Sequence, residues 1–208
     1  MPEVCPQCGA YALRNIARDP AVMTCTECGA QVPTNILPLF IVTGTSGAGK
    51  TSIIPFLRRL LPECLVFDKD LLGSTCYDHM ATSWLLLAYG IAQGGRHTII
   101  CGTMMPQEVE QCEVRDRIGP IHFLNLHCND VVREQRLRAR PAWRKSSSNE
   151  FIEEHRRFAH WLLEHAATDY NPPMPTIDTS DTTPEQSAQE IALWVREVLG
   201  NQMVVPIV

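Results

Sequence analysis

Residues 44–51 read Gly-Thr-Ser-Gly-Ala-Gly-Lys-Thr and satisfy every fixed position of the phosphate-binding pattern G-x-x-x-x-G-K-[ST]. Glycines let the backbone turn its N–H groups toward phosphate oxygens, and the N-terminus of a following helix adds the positive end of its dipole. We expect Lys50 to reach the β- and γ-phosphates of ATP and Thr51 to ligate Mg²⁺. A chance glycine-rich turn is the alternative. The predicted nucleotide-binding residues are Gly44, Thr45, Ser46, Gly47, Ala48, Gly49, Lys50, Thr51 and Ser52.

Two carboxylates, Asp68 and Asp70, follow a second apolar strand, residues 64–67. The carboxyl end of a parallel strand faces the crevice in which ligands bind. One acid can position Mg²⁺ while the other accepts a proton from an attacking hydroxyl. We expect Asp68 to accept the proton and Asp70 to bind acceptor or metal, although the reverse assignment also fits the spacing. A solvated turn at the strand end is the non-catalytic interpretation.

The third predicted strand, residues 98–101, runs into Gly102 without an acid at its end. Nucleotide hydrolases place an acid after the strand beside the phosphate-loop strand, where it holds metal and polarises water. If residues 98–101 form that neighbouring strand, the acids of this chain lie on the side of a phosphoryl acceptor. The pattern then favours transfer over hydrolysis.

A cluster of cationic side chains lies between residues 131 and 145. Arg133, Arg136 and Arg140 are three and four positions apart and share a face while the segment is helical. Planar guanidinium groups suit a transferring phosphoryl group, and we predict that Arg136 and Arg140 are catalytic. Residues 142–148, after a proline, are expected to form a mobile segment that closes over the site. A solvated basic helix face is the alternative. The members of the cluster are Arg133, Arg136, Arg138, Arg140, Arg144 and Lys145.

Two Cys-x-x-Cys-Gly knuckles near the N-terminus are separated by sixteen residues. This spacing is typical of a four-thiolate zinc site, and a redox Cys-x-x-Cys normally occurs once and opens a helix. Two redox pairs are therefore the weaker interpretation. About thirty residues cannot bury enough apolar surface to fold alone, so the metal would supply the missing free energy. The predicted zinc ligands are Cys5, Cys8, Cys25 and Cys28.

The repeated knuckle resembles those of zinc ribbons, and residues 1–35 are called the ribbon below. The ribbon carries two arginines against three acids, with Tyr11 as its single aromatic residue. Clustered cations and several aromatics are what nucleic-acid surfaces need, so a docking or structural role is favoured. Five further cysteines lie in apolar contexts and are predicted to be small core residues. They are Cys64, Cys76, Cys101, Cys112 and Cys128.

Apolar strands alternate with amphipathic helices, which predicts an α/β fold: a parallel five-stranded sheet covered on both faces in three αβα layers. Pro33 and Pro38 mark a hinge, so we predict a small zinc ribbon at 1–35 followed by a phosphate-loop domain at 36–208. The predicted strands are 39–43, 64–67, 98–101, 121–126 and 176–178. The predicted helices are 51–61, 80–93, 108–117, 130–138, 149–167 and 184–199.

Composition restricts the cellular context. With 208 residues, 45% of them hydrophobic, the chain suits one globular domain and a small appendage. A net charge of −5 argues against coating nucleic acid. No apolar run reaches membrane-spanning length and the N-terminus lacks a charged leader, so we expect a cytoplasmic protein without a membrane partner.

Together these motifs resemble the nucleoside and nucleotide kinase-like group of P-loop phosphotransferases, which includes adenylate, shikimate and gluconate kinases and chloramphenicol phosphotransferase. The similarity covers about residues 36–200 and is carried by the phosphate loop, the Asp-x-Asp, the acid-free third strand, the arginine segment and residues 177–180. It implies that the arginine-rich lid and residues 179–182 cover the phosphates and the adenine. Gly102-Thr103-Met104 departs from the glycine run of shikimate kinase, which puts shikimate itself in doubt.

In this group the residues after the second strand form the acceptor pocket, which here corresponds to residues 70–93. Tyr77, Asp78, His79 and Trp84 offer stacking and hydrogen-bonding groups there, although Trp84 suits core packing equally well. We expect a small-molecule kinase acting on a hydroxyl, such as that of a nucleoside. A nucleoside-monophosphate kinase is the alternative enzyme, for which Lys69 and Arg96 are the available acceptor-side cations. A nucleotide-dependent binding module that docks through its ribbon is the alternative outside enzymes.

Overall fold

The computed structural model describes residues 3–12 and 14–202, with only the backbone of residues 74–78, 201 and 202. The described residues form two compact units. The ribbon unit is made of those within Met1–Leu39, Leu72–Thr98 and Met105–Ile121. The phosphate-loop unit is made of those within Phe40–Leu71, Ile99–Met104 and His122–Val208.

Short antiparallel strands build the ribbon. Its first sheet has two strands and its second has three. Each knuckle closes with a glycine in the left-handed region, Gly9 and Gly29 both at φ 71°, a conformation that side chains disfavour. The N–H of each glycine donates to the carbonyl of the first cysteine of its knuckle, at 2.8 Å and 3.0 Å. The ribbon strands are β1 (Glu3–Val4), β2 (Tyr11–Ala12), β3 (Arg14–Arg18), β4 (Ala21–Cys25) and β5 (Gln31–Pro33).

A five-stranded parallel sheet follows, with strand order β10-β9-β6-β8-β7. The predicted α/β fold class is thereby confirmed, and every predicted strand is present within one residue of its predicted ends. The acid-free strand β8 lies beside the phosphate-loop strand β6, which meets the condition set by the sequence. The strands are β6 (Leu39–Thr43), β7 (Cys64–Asp68), β8 (His97–Cys101), β9 (Ile121–His127) and β10 (Thr176–Asp178).

Six helices flank or connect these strands in the described residues. Polar caps start two of them: the Asn129 side chain accepts from the N–H of Val132 at 2.9 Å, and Ser148 accepts from the N–H of Phe151 at 3.2 Å. The helices are α1 (Lys50–Leu60), α2 (Met80–Gln93), α3 (Pro106–Glu110), α4 (Asp130–Arg138), α5 (Asn149–His165) and α6 (Pro184–Gln202). Short 3₁₀ segments lie at Lys69–His79, Arg115–Arg117 and Ala142–Arg144.

The core of the phosphate-loop unit lies between the sheet and the paired helices α1 and α6. Phe40 and Val42 of β6 are fully buried, as a parallel sheet covered on both faces requires. Helices α1 and α6 contribute Ile53, Leu57 and Ile191 to the same cluster. This packing holds the carboxyl ends of the strands in a fixed arrangement.

The predicted helix at 108–117 is wrong in its extent. Pro106 starts a short helix two residues earlier, and the Glu108 carboxylate accepts from the N–H of Met105 at 2.5 Å. The Cys112 N–H then bonds to the Val109 carbonyl, three residues back, which tightens the turn and ends the helix. A separate 3₁₀ turn covers Arg115–Arg117.

The side chains that the sequence suggested for the acceptor pocket differ in their burial. Trp84 is 1% exposed and belongs to the core of the ribbon unit, so it packs rather than stacks on a ligand. His79 is exposed, and Tyr77 and Asp78 lie outside the described side chains, as does Cys76. Among the other predicted core cysteines, Cys64, Cys101 and Cys128 are buried and Cys112 is half-buried.

In the described part of the chain, no helix has both the length and the apolar character that a bilayer crossing requires.

Candidate functional site

The phosphate loop wraps tightly between β6 and α1. Gly44, Gly47 and Gly49 have φ values of 130°, 89° and 97°, a region that other residues rarely adopt. A Cβ on Gly44 would lie 2.3 Å from the Leu126 carbonyl oxygen, and α1 begins directly at Lys50. The geometry therefore needs glycine and presents backbone N–H groups at a helix start, as an anion site requires.

The Lys50 ammonium is held by the loop itself. Its Nζ donates to the carbonyls of Gly44 and Thr45, both at 2.7 Å. Burial, with a further contribution from the positive charge of Arg140, lowers the pKa of Lys50 to about 8. A bound phosphate anion would favour the charged form of the amine.

Nucleotide affinity is expected to fall as the pH rises above about 8. Below that pH Lys50 is already charged in the free protein, whereas above it triphosphate binding must take up a proton, because the anion raises the pKa of Lys50. The dissociation constant for MgATP should then rise by up to about tenfold per pH unit. Calorimetry between pH 7 and 9.5 in buffers of different ionisation enthalpy measures both effects. Lys50→Arg, which stays charged, should flatten the dependence, and a flat wild-type profile would contradict the expectation.

The paired acids have different surroundings. The Thr51 hydroxyl donates to Oδ2 of Asp68 at 2.8 Å, and the other Asp68 oxygen accepts from the N–H of Asp70 at 2.9 Å. The Asp70 carboxylate is 77% exposed, with the Arg144 guanidinium 3.8 Å away. Asp68 is therefore engaged by the phosphate loop, while Asp70 is open to a ligand.

Lys69 connects the acids to the next strand end. Its Nζ donates to the Thr103 carbonyl at 2.6 Å, and the Thr103 hydroxyl donates to the Gly44 carbonyl at 2.7 Å. Gly102 is needed beneath this contact, because a Cβ there would lie 2.2 Å from the Cβ of Lys69. Sequence reasoning considered Lys69 only as a ligand for an acceptor phosphate. Lys69 lies between Asp68 and Asp70 in the sequence, and this position is the signal that could have indicated its contact with the protein backbone.

These groups line a cleft of about 170 Å³ next to the phosphate loop. Cys101 also lines it, and burial raises the pKa of its thiol to about 12, so this cysteine remains a neutral core residue. The residues of this first cleft are Ser46, Gly47, Gly49, Lys50, Thr51, Ser52, Asp68, Lys69, Asp70, Cys101, Gly102, Thr103, Arg140 and Arg144.

A second cleft of about 270 Å³ lies on the other side of the loop and shares with the first Gly47, Gly49, Ser52 and Arg140. The expected base-side residues Thr179 and Thr182 line it, together with Pro184 and Ser187, which sequence reasoning missed. Pro184 and Ser187 lie in the first turn of α6, which is far from the phosphate loop in the sequence and beside it in the folded chain. Its full lining is Gly47, Ala48, Gly49, Ser52, Ile53, Arg136, Arg140, Thr179, Thr182, Pro184 and Ser187.

The arginines of the cluster make different contacts. Arg133 is buried and donates to Asp130 and to the Cys128 carbonyl, so it braces the start of α4. Arg136 donates to the Thr179 hydroxyl at 3.0 Å and to the Thr179 carbonyl at 2.8 Å. Arg140 lines both clefts. Of the two arginines predicted to be catalytic, Arg140 has the more central position.

The four predicted zinc ligands converge. Their sulfurs all lie within 4.8 Å of one another, and those of Cys5 and Cys28 are 3.8 Å apart. Zn–S bonds of about 2.3 Å in a tetrahedron separate the sulfurs by about 3.8 Å. The N–H of Cys8 lowers the pKa of Cys5 to about 6, whereas the neighbouring sulfurs contribute to raising the pKa of Cys28 to about 12, so the convergence of the sulfurs and not their titration supports a metal site.

Arg14 supplies a second indication that a metal belongs in the ribbon. It lies opposite Cys25 in the β3–β4 register and donates through Nη2 to the Val4 carbonyl at 2.8 Å. It is buried, and its Nε and Nη1 have no hydrogen-bond partner among the described residues. Four thiolates around Zn²⁺ carry a net charge of −2, which a nearby guanidinium would offset. The residues present therefore fit a zinc ion.

Comparisons with known proteins agree with this architecture. Neither protein-family models nor curated protein sequences match the chain. Among solved structures, an unliganded sugar kinase from Janibacter aligns with a TM-score of 0.53 and 20% identity, covering 77% of this chain and 95% of that one. An APS kinase from Mycobacterium tuberculosis, in complex with AMPPNP and APS, gives 0.51 and 17%, covering 79% and 99%. A gluconokinase from Sinorhizobium meliloti gives 0.51 and 15%, covering 81% and 98%. The chain has the three-layer fold of P-loop kinases.

Proposed function

We propose that the chain is an ATP-dependent phosphotransferase that moves the γ-phosphoryl group to a hydroxyl of a small molecule. The observation that carries this proposal is the 2.8 Å hydrogen bond from the Thr51 hydroxyl to Asp68, which joins the phosphate loop to the paired acids in one cleft. A phosphate site and a carboxylate that is open to an acceptor are the two parts that phosphoryl transfer needs.

The nucleotide would occupy both clefts. Its triphosphate suits the phosphate loop, where Lys50 can exchange its two carbonyl partners for phosphate oxygens. Its base suits the second cleft, beside Thr179 and Thr182. Arg140, which lines both clefts, is then positioned for the charge that develops on the transferring group, and Arg136 orients the loop at Thr179.

Thr51 and Asp68 supply the adjacent oxygen donors that Mg²⁺ prefers, and their surroundings fit the ion. When bound, Mg²⁺ neutralises charge on the β- and γ-phosphates. Asp68 keeps the Thr51 hydroxyl oriented, and this task occupies the carboxylate oxygen that would otherwise accept a proton. We therefore assign the metal side to Asp68, which reverses our first expectation from the sequence.

Asp70 is left as the proton acceptor. The acceptor oxygen attacks the γ-phosphorus, the bond to the β–γ bridging oxygen breaks and ADP leaves, and the proton of the hydroxyl passes to the Asp70 carboxylate. Its exposure leaves the carboxylate accessible to an acceptor, with the Arg144 guanidinium 3.8 Å away. The acid-free end of β8 supports transfer to an acceptor rather than to water.

The polar character of the first cleft, where Asp70 and Arg144 offer hydrogen bonds, supports a hydroxylated molecule as the acceptor. A nucleoside or a similar metabolite fits this requirement. Lys69 is engaged by the Thr103 carbonyl, which disfavours a second phosphate on the acceptor. We further propose that Cys5, Cys8, Cys25 and Cys28 bind one Zn²⁺ per chain.

A screen of nucleosides, sugars and aminoglycoside or phenicol antibiotics for acceptor-dependent ADP release tests the proposal. We expect at least one class to raise ADP release well above the rate without acceptor, because a site that excludes water is slow until its acceptor binds. Identical rates with and without every acceptor class, in protein that binds MgATP, would contradict phosphoryl transfer and favour a nucleotide-dependent binding module.

A further inference from the structure

The ribbon is joined to α2 by a buried charged contact within the ribbon unit. Arg117, 3% exposed, forms an ion pair with Glu3 at the start of the ribbon. The Cζ atom of Arg117 also lies 5.4 Å from the centre of the Tyr89 ring on α2. Three segments that are distant in sequence therefore contact one guanidinium group. Removing one partner of a buried ion pair lowers the stability of the fold.

Polar contacts extend along the last turns of α2. The Tyr89 hydroxyl lies 2.9 Å from the Met23 sulfur. One turn later, Gln93 donates to the Asn35 carbonyl at 3.0 Å and accepts from the Thr34 hydroxyl at 3.1 Å. Because Tyr89 and Gln93 are four residues apart, they lie on one face of α2, and both side chains contact the ribbon.

A third contact involves the segment before β9. Arg18 donates to the carbonyls of Asp116 and Ile118, both at 3.2 Å. The N–H of Gly119 donates to the Leu37 carbonyl at 3.1 Å, and a Cβ on Gly119 would lie 2.7 Å from that oxygen. The ribbon therefore packs closely against its neighbours in this unit and makes more specific contacts than a flexible linker would make.

These contacts connect the metal to α2. A ribbon of this size needs its metal in order to fold, and Glu3, Met23 and Thr34 can hold α2 only while the ribbon is folded. Without the ribbon, Arg117 would lose its carboxylate and the face of α2 that carries Tyr89 would be uncovered. The four-cysteine site therefore stabilises more of the chain than the residues that surround it.

We propose that metal binding by the four cysteines holds α2 in its folded position, so that the ribbon is an internal support of this helix rather than an appendage for an external partner. The proposal rests on the zinc site of the proposed function. It implies that the folding of α2 depends on Zn²⁺, whereas nucleotide binding by the phosphate-loop unit does not.

Hydrogen exchange of the full-length chain measures this dependence. Cys8→Ser/Cys28→Ser removes two exposed sulfurs of the cluster, and Cys112→Ser, a half-buried cysteine outside it, is the matched control. We expect one zinc per chain in the wild type and in the control, and none in the double variant. Exchange in residues 80–93 should be at least tenfold faster in the double variant. Exchange in residues 50–60 and the dissociation constant for MgATP should change by less than twofold.

A second variant tests the contact without touching the metal. Glu3→Gln should keep its zinc and still speed exchange in residues 80–93 about tenfold, because Arg117 loses its charged partner. Glu27→Gln removes an exposed ribbon carboxylate instead and should leave exchange unchanged. Wild-type protection of α2 in both Cys8→Ser/Cys28→Ser and Glu3→Gln would overturn the proposal, as would a wild type without zinc. Loss of MgATP binding together with zinc would also overturn it. A failed acceptor screen would contradict the kinase proposal alone and leave the exchange result intact.

Discussion

Asp70→Asn is expected to slow acceptor-dependent ADP release about a hundredfold or more, because general-base assistance contributes about that much. The Asp70 carboxylate is exposed and has no described contact with the phosphate loop, so its loss should leave the dissociation constant for MgATP within twofold. The measurement is kcat and KM for an acceptor found in the screen, together with calorimetry of MgATP binding. A loss confined to kcat would identify a group that acts in the transition state.

Asp68→Asn distinguishes the two acids. Its carboxylate accepts from the Thr51 hydroxyl, so we expect this variant to need more Mg²⁺ for half-maximal activity as well as losing rate. Asp19→Asn, an exposed acid of the ribbon, is the control for a change of one charge. If Asp68→Asn lost rate at unchanged Mg²⁺ dependence and Asp70→Asn did not, the roles would be exchanged. Equal rates in all variants, with and without acceptor, would leave the kinase proposal without its mechanism.

The sheet could be predicted because its signals are local. Each strand is a short apolar run bounded by turn residues, and the phosphate loop identifies the strand before it and the helix after it. Strand β10, Thr176–Asp178, has the predicted ends, and α2 and α4 also match theirs. The convergence of the four cysteines could be predicted for the same reason, since each Cys-x-x-Cys-Gly knuckle is recognisable within five residues.

The support of α2 by the ribbon could not be predicted in this way. Glu3 and Arg117 are 114 positions apart, and neither residue type nor spacing reveals that they form an ion pair. Arg133 shows the same limit within a single helix. Helical spacing placed it on a face with Arg136, but its guanidinium donates to Asp130, one turn back in the same helix, and to the Cys128 carbonyl just before the helix. Periodicity indicates which residues share a face and leaves open what that face contacts.

Lys50→Ala is expected to reduce turnover about a hundredfold to a thousandfold without unfolding the protein. In the proposed reaction the Lys50 ammonium contacts the transferring group, and removing one such preorganised donor typically costs about 10²–10³ in rate. Stability should not suffer, because burial lowers the pKa of Lys50 to about 8, so its charge is unfavourable in the folded protein below that pH. Single-turnover ADP release and the thermal midpoint at pH 7 measure the two effects.

Arg157→Ala is the charge control for this prediction. Arg157 is an exposed cation on α5 that is not among the residues lining either cleft, so its removal should change neither the rate nor the fold. A thermal midpoint of Lys50→Ala equal to or above that of the wild type at pH 7, combined with lost turnover, would separate a catalytic lysine from a structural one. Because the disadvantage of the wild-type charge is fully present below about pH 8 and is lost between that pH and the ordinary lysine pKa of 10.5, the gain in midpoint should shrink as the pH rises above about 8. Full activity in Lys50→Ala would instead contradict the assignment of the phosphate loop as the site of transfer.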